Sequence, residues 1–470
     1  MTIRTELGNK LMLAFAGETP PPRIAAWMAQ RPLAGFSLFR HDNVRTPAQV
    51  RDLTAALQRL AQQAGQPPLL IATDQEGGQL NALGEATTQF AGNMALAATR
   101  DAALAKRVAQ ATGRELAALG VNVNYAPNCD INTNPDNPAA GARTFGDDAA
   151  LAATMATAVT RGYQSAGVAA TLKHFPGKGA AQVDSHYQMP LISHSRERLD
   201  AVELRPFRAA IAAGAKMAMS GHFALPSITG TPDLPATLSR AAMDDLLRSE
   251  LGFDGVTITD ALDMGALTQG AGQIVDVIAA VRAGVDLLLT TNQPEVQERL
   301  YHGLQLAHSR QLFNDRALRE SLRRIAALRA WAAGHLQPAL DVVGCAAHQT
   351  LAAELAQRAI TLLRDDAGLL PLRLPADARI AAIMPQPQNL TPADTSEFIT
   401  PTLATAVRAH HAHVAEFIHP HTPDDSDIAA LRQQAAAYDL LIVGTISASM
   451  NPAQAALANA LLALGKPTVT

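Results

Sequence analysis

The sequence predicts an α/β protein: a TIM (β/α)8 barrel followed by a smaller, sandwich-like α/β domain. Three observations carry this. Eight short apolar runs recur through the first two-thirds of the chain, helical patterns lie between them, and polar residues gather where the runs end. The runs are 11–17 (LMLAFAG), 35–40 (GFSLFR), 69–76 (LLIATDQE), 121–130 (VNVNYAPNCD), 169–177 (AATLKHFPG), 215–222 (AKMAMSGH), 255–261 (GVTITDA) and 285–291 (VDLLLTT). Nearly continuous apolar runs suit strands buried on both faces. Eight such units fit a closed barrel, while an open doubly wound sheet uses the same local units and stays the alternative at this level.

The helices carry start and stop signals. Thr46 followed by Pro47 opens one that Gly65 closes; 101–120 is apolar on one face and ends in glycine; Ser239 opens a third that stops at Gly252. Past the polar, proline-containing stretch 334–338 a second pattern begins. A helix is expected over 345–363, a loop over 364–377, strands at 379–384, 413–418, 440–443 and 467–470, and helices over 425–438 and 452–465. The expected division is a catalytic barrel over 1–335 and an α/β domain over 336–470, which stops in what reads as the start of a strand and so reads as incomplete.

Composition excludes several classes of function. At 470 residues the chain has room for two or three domains with a full core. A net charge of −4 and 4% aromatics give a nucleic-acid partner no support. Cys129 and Cys345 stand too far apart in sequence for a zinc or disulfide framework, which fits a reducing compartment. No run is long and apolar enough to span a membrane, and the first residues lack a signal-peptide layout, so a cytoplasmic protein is expected. The glycine-containing turns match neither a phosphate loop nor a dinucleotide fingerprint, so no metal, nucleotide or other cofactor is expected.

In a barrel, reactive groups cluster at the C-terminal ends of strands. Here those ends offer 74–78 (DQEGG), Asp130 and on to Arg143, Lys173 with His174, His222, and Asp260. One carboxylate at a strand end often only caps the next helix; five strands delivering charge to one rim describe a site. The loop 173–186 (KHFPGKGAAQVDSH) is the most specific feature, small and mobile in its first half and carrying Asp184 and His186 at its end. A carboxylate beside an imidazole fixes its tautomer and favours its protonated form, which suits a general acid. The plain alternative is a surface pair that never meets.

These segments resemble the β-N-acetylhexosaminidases of glycoside hydrolase family 3. The resemblance rests on DQEGG (74–78), NTNPDNP (132–138), RTFG (143–146), KHFPG (173–177), DSH (184–186) and LGFDGVTITDALDM (251–264), in family order. It implies a TIM barrel, a nucleophile at Asp260 that forms a glycosyl–enzyme intermediate, an acid/base at His186, and Asp184 as its partner. It implies that Asp74, Arg143, Lys173 and His174 hold N-acetylglucosamine, with His222 a further strand-end contact, and that Asp263 and Glu76 support them. The sequence departs from the family pattern at Gln79 and Ala82, where arginines are usual, and at Lys178, where GHG is usual. Lys178 is open to two readings, a cation that meets an anionic group or one that is simply solvated.

The function so implied is retaining exo-hydrolysis of β-linked N-acetylglucosamine from peptidoglycan fragments, with N-acetylglucosaminides and muropeptides as substrates. Loop closure is expected to bring His186 to the glycosidic oxygen. The alternatives are a β-glucosidase, which the DSH motif opposes; a phosphorylase that uses phosphate as acceptor; and a sugar-binding barrel without catalysis.

Overall fold

The computed structural model describes residues 3–470. The chain divides into two compact units, one ending at Ile360 and the other spanning Thr361–Thr470.

The first unit holds eight parallel strands: β1 Leu11–Leu13, β2 Gly35–Ser37, β3 Leu70–Thr73, β4 Val123–Asn124, β5 Ala169–Phe175, β6 Met217–Ser220, β7 Val256–Thr259 and β8 Leu288–Leu289. Their order, β8-β1-β2-β3-β4-β5-β6-β7, is sequential around a ring. A bridge between Ile258 and Leu287 joins the two ends, and Thr259 N donates to Leu287 O at 3.0 Å. That closure decides for the barrel over the open sheet.

Strand alternation sorts the side chains. Met12, Leu70, Ala72, Val123, Met217, Val256 and Ile258 fill the barrel, while Leu11, Leu13 and Ile71 face the helices outside. Those helices include α1 Pro47–Gln63, α2 Ala102–Ala118 and α3 Ala149–Ser165, capped by Thr46, Asp101 and Asp148. The stretch after Ser239 winds as a π-helix over Ala241–Glu250. Helix α4, Asp315–Ala333, adds Ile325 and Leu328 to the barrel interior. It sits at the N-terminal strand ends, because Lys10, just before β1, donates to Ser321 Oγ at 2.7 Å and to Val285 O at 3.1 Å. The opposite rim is thereby left for the strand-end residues.

The expected boundary at 335 and the observed one at Ile360 differ by the helix α5, Ala346–Ala359. His348 on α5 bonds Glu115 of α2 at 2.6 Å, and Leu351 and Leu355 are buried in the first unit's core. The helix expected to reach 363 ends at Ala359.

The second unit is a four-stranded parallel sheet, β9 Ile380–Pro385, β10 Val414–His419, β11 Leu440–Val443 and β12 Thr468–Val469, ordered β10-β9-β11-β12. Its core joins Ile383, Leu441 and Val443 to Leu431 of α6, Asp425–Ala435, and Leu457 of α7, Pro452–Leu462. Among the described residues no helix is long and apolar enough to cross a membrane.

Candidate active site

Every candidate residue of the sequence reading lies at or just beyond the C-terminal end of a barrel strand or on the loop that follows it. Asp74 and Glu76 follow β3, Arg143 lies in the long segment after β4, and Lys173 and His174 end β5. Asp184 and His186 lie beyond β5, His222 beyond β6, and Asp260 directly after β7.

Four of these groups form one charged chain. Lys173 Nζ lies 2.6 Å from both Asp74 Oδ1 and Glu76 Oε1, and Arg143 forks onto Glu76 through Nε at 3.0 Å and Nη2 at 2.8 Å. Burial pushes the Glu76 carboxyl up, but Arg143 and Lys173 outweigh it and hold it at about 2. Burial likewise raises Asp74, against the pull of Lys173. The hairpin that carries Glu76, Gln75–Gly77 paired antiparallel with Leu80–Asn81, is pinned by Asn124, whose Oδ1 accepts from Gln75 N at 2.9 Å while Nδ2 donates to Gln75 O at 2.8 Å.

A second chain runs through His174. Its Nδ1 lies 2.8 Å from Asp130 Oδ2 and its Nε2 3.9 Å from Asp260 Oδ2. Burial first, then the Lys178 charge, drive its pKa well below 6.5, so the ring is neutral near pH 7. Asp130 Oδ1 also accepts from the backbone N of Lys178 at 2.8 Å and of His174 at 3.3 Å. The sequence reading placed Asp130 on the rim but gave it no role. Here it orders the start of the following loop.

Burial would raise the Asp260 carboxyl; in the acid range where it would titrate, the protonated His174, His222 and His186 rings and Lys178 outweigh burial and hold it well below the usual range, so at neutral pH it is ionised. Its Oδ1 accepts from Ala261 N at 2.9 Å. His222 is fully buried behind it, with Nε2 3.1 Å from Ala261 O and Nδ1 2.9 Å from Thr237 Oγ1. Nε2 donates to the carbonyl, which can only accept, and burial lowers the pKa of the ring. Asp263 lies beyond, its Oδ2 bonded to Thr291 Oγ1.

Asp184 and His186 do meet: His186 Nδ1 is 2.7 Å from Asp184 Oδ1. Their loop rests on the segment that follows Asp260, with Gly265 N donating to His186 O at 2.9 Å and Ala266 N to Ser185 O at 3.1 Å. The nucleophile candidate and the imidazole candidate therefore share one rim. The loop's first half, expected to be mobile, is tied down by the NTNPDNP segment. Asn137 Nδ2 donates to Lys178 O and Gly179 O, and Asn134 Nδ2 to Ala181 O. Lys178 itself is buried, which removes the solvated reading.

Exposure separates the groups. Side chains of Asp74, His186 and Asp260 keep 25%, 17% and 15% of their surface open, whereas those of Lys173, His174, Arg143 and Glu76 keep 4% or less. Chemically, this is an ionised carboxylate, an Asp-oriented imidazole and a carboxylate held by a lysine, all partly exposed at one rim of the barrel. It suits acid-assisted displacement at a polyhydroxylated substrate.

Residues 2–328 match the glycosyl hydrolase family 3 N-terminal domain. A beta-hexosaminidase A from Pseudoalteromonas piscicida is 36% identical over 429 residues, covering 83% of this chain and 71% of that protein. A beta-hexosaminidase from Stenotrophomonas maltophilia (strain K279a) is 35% identical over 301 residues, 63% of this chain and 87% of that one. Among solved structures, the family 3 beta-N-acetylglucosaminidase from Paenibacillus sp. str. FPU-7 superposes with a TM-score of 0.91 at 34% identity, covering 98% of this chain and 88% of that one.

Proposed function

Because this chain belongs to glycoside hydrolase family 3 and is a glycoside hydrolase, we propose that it releases β-linked N-acetylglucosamine from peptidoglycan fragments in the cytoplasm. The reaction is a retaining double displacement through a glycosyl–Asp260 intermediate. The names of the relatives support the sugar. The Asp184–His186 pair, 2.7 Å apart on a loop bonded to the segment after Asp260, carries the mechanism.

In the first step an Asp260 oxygen attacks the anomeric carbon. The bond to the leaving oxygen breaks, and that oxygen takes a proton from His186 Nε2, since Nδ1 is engaged by Asp184. In the second step His186 removes a proton from water, the water oxygen joins the anomeric carbon, and the Asp260 carboxylate leaves. Asp74, held by Lys173, takes the sugar hydroxyls, together with His174. Arg143 acts through Glu76, and His222 through the Ala261 carbonyl.

Asp260→Asn is expected to abolish turnover with the fold intact; near-normal activity would remove Asp260 from the mechanism. His186→Ala is expected to slow nitrophenyl N-acetyl-β-glucosaminide far less than an alkyl or disaccharide glycoside, because a good leaving group needs no acid. Equal losses on both would exclude the acid role. A second reading has phosphate as acceptor, favoured by the imidazole at the acid/base position, which repels an anion less than a carboxylate does. Absence of sugar 1-phosphate in phosphate buffer rules it out.

A further inference from the structure

A chain of side-chain hydrogen bonds reaches from β6 to the backbone on both sides of Asp260, and its central member, Thr237, has no place in the mechanism above. Thr237 is fully buried in the short 3-10 turn Ala236–Leu238, which is fastened by Ala236 N donating to Phe223 O at 2.8 Å. Its Oγ1 lies 2.9 Å from His222 Nδ1, 2.9 Å from Ser220 Oγ and 3.0 Å from Gly221 O. The chain then runs both ways. Ser220 Oγ lies 3.4 Å from Ile258 O, two residues before Asp260, and His222 Nε2 donates to Ala261 O at 3.1 Å, one residue after it.

These bonds bear on the aim of the carboxylate. Asp260 Oδ1 accepts from Ala261 N at 2.9 Å, so the peptide joining residues 260 and 261 sets where the carboxylate points. The peptides on either side are anchored. Asp260 N donates to Ser220 O at 3.0 Å, Leu262 N donates to Leu289 O at 3.0 Å, and Ala261 O takes the His222 bond. His222 can hold that carbonyl only with a hydrogen on Nε2, which in a neutral ring leaves Nδ1 a bare acceptor. An unpaired acceptor in a fully buried ring is costly and favours the other tautomer or a turned ring. A hydroxyl at 2.9 Å removes that cost. It donates to a neutral Nδ1, and it accepts from a protonated one while its own hydrogen turns to Gly221 O.

We infer that Thr237 is a positioning residue acting through His222: its hydroxyl keeps the imidazole Nε2–H on the Ala261 carbonyl, and this steadies the backbone whose N–H aims the Asp260 carboxylate at the anomeric carbon. The inference rests on the nucleophilic role of Asp260 proposed above. It places the effect on the attacking oxygen and not on the acid. In the first step that oxygen bonds to the anomeric carbon whichever group departs, so the loss is the same for good and poor leaving groups.

The test compares the native enzyme with Thr237→Val, Thr237→Ala and Thr237→Ser on nitrophenyl N-acetyl-β-glucosaminide and on an alkyl N-acetyl-β-glucosaminide. Labelling of Asp260 by a fluorinated N-acetylglucosaminyl fluoride is followed in parallel by intact mass. The variants without a hydroxyl are expected to lose about 10- to 100-fold in kcat/KM, by one factor on both substrates, as suits a nucleophile displaced by less than about 1 Å. The labelling rate falls by that same factor, the inhibition constant of free N-acetylglucosamine is unchanged, and Thr237→Ser restores turnover to within about twofold of native. A merely structural role would lower the melting temperature and leave kcat/KM per folded molecule unchanged. That result, or a loss confined to the alkyl glycoside, in whichever of Thr237→Val and Thr237→Ala folds would overturn the inference. Labelling of the native enzyme separates the two layers. No adduct on Asp260 overturns the covalent mechanism and the inference with it, whereas an adduct formed equally fast in native enzyme and variant leaves the mechanism standing and isolates the failure to Thr237.

Discussion

Glu76 illustrates how much a single side chain can carry without touching substrate. It is buried, and it accepts from both Lys173 and Arg143. Its folded pKa of about 2 lies below its ordinary 4.5, so its ionised form is favoured by folding. That contribution is complete above about pH 4.5 and is lost as pH falls toward 2. Glu76→Gln is expected to cost roughly 3–5 kcal/mol at neutral pH, the range for breaking a buried ion pair. In chemical denaturation the gap between native enzyme and variant should be constant above pH 5 and narrow below it; a gap independent of pH down to about 2 would refute the assignment. Residue types and strand-end positions were legible in the sequence, and so was the Asp184–His186 pair. Which groups are open to solvent and which stand behind them was not. That depends on packing across the barrel: Arg143 reaches Glu76, and His222 reaches Thr237 and the Ala261 carbonyl. Asp130 was visible on the rim, but its partners His174 and Lys178 lie more than 40 positions away in sequence, joined to it only through strand pairing.

The decisive element is the loop beyond β5. Its glycines suggested a hinge, yet two of the site's glycines are there for close approach. A Cβ on Gly179 would lie 1.8 Å from Ile131 O, and one on Gly265 would lie 2.5 Å from Tyr187 O and 2.9 Å from His186 O. These are backbone atoms, so the segment itself must shift. Gly265→Ala is therefore expected to push the His186 loop outward while leaving the barrel intact. A displacement near 1 Å costs about 100-fold where orientation matters. The loss should fall on poor leaving groups and largely spare nitrophenyl substrates, with an unchanged melting temperature. A uniform loss, or none, would show that this contact does not place His186. At this scale the existence and order of the strands were legible from their apolar runs, while their ends were not. The run 121–130 yields only Val123–Asn124 as regular strand, because Asn124 spends its side chain on the Gln75 backbone and the chain beyond it follows irregular bonds to β5.

For the whole molecule, the question is where the barrel unit stops. The polar stretch near 335 looked like a linker, but Glu115 argues for Ile360. This buried carboxylate of α2 accepts from Thr88 N at 2.7 Å, Thr88 Oγ1 at 2.6 Å, Gly344 N at 3.1 Å and His348 Nδ1 at 2.6 Å. Two of its four hydrogen bonds thus come from beyond 335, and α5 adds the buried Leu351 and Leu355. The Arg107–Glu354 and Arg358–Asp101 pairs are substantially exposed and contribute little. A fragment ending at Ile360 keeps all these contacts; one ending at residue 335 uncovers an apolar strip and leaves Glu115 half-satisfied. The shorter fragment loses roughly 6–12 kcal/mol of gross interaction, half from two leucine side chains and half from two hydrogen bonds to a charged group, offset in part by the ordering entropy of α5, so it is expected to be less stable by several kcal/mol. In urea this appears as a lower midpoint than that of the longer fragment. In a version of the longer fragment carrying His348→Ala and Leu355→Ala, most of the same loss should follow without any truncation. Coincident midpoints for the two fragments would instead mean that α5 adds nothing to the barrel and that the division belongs at 335.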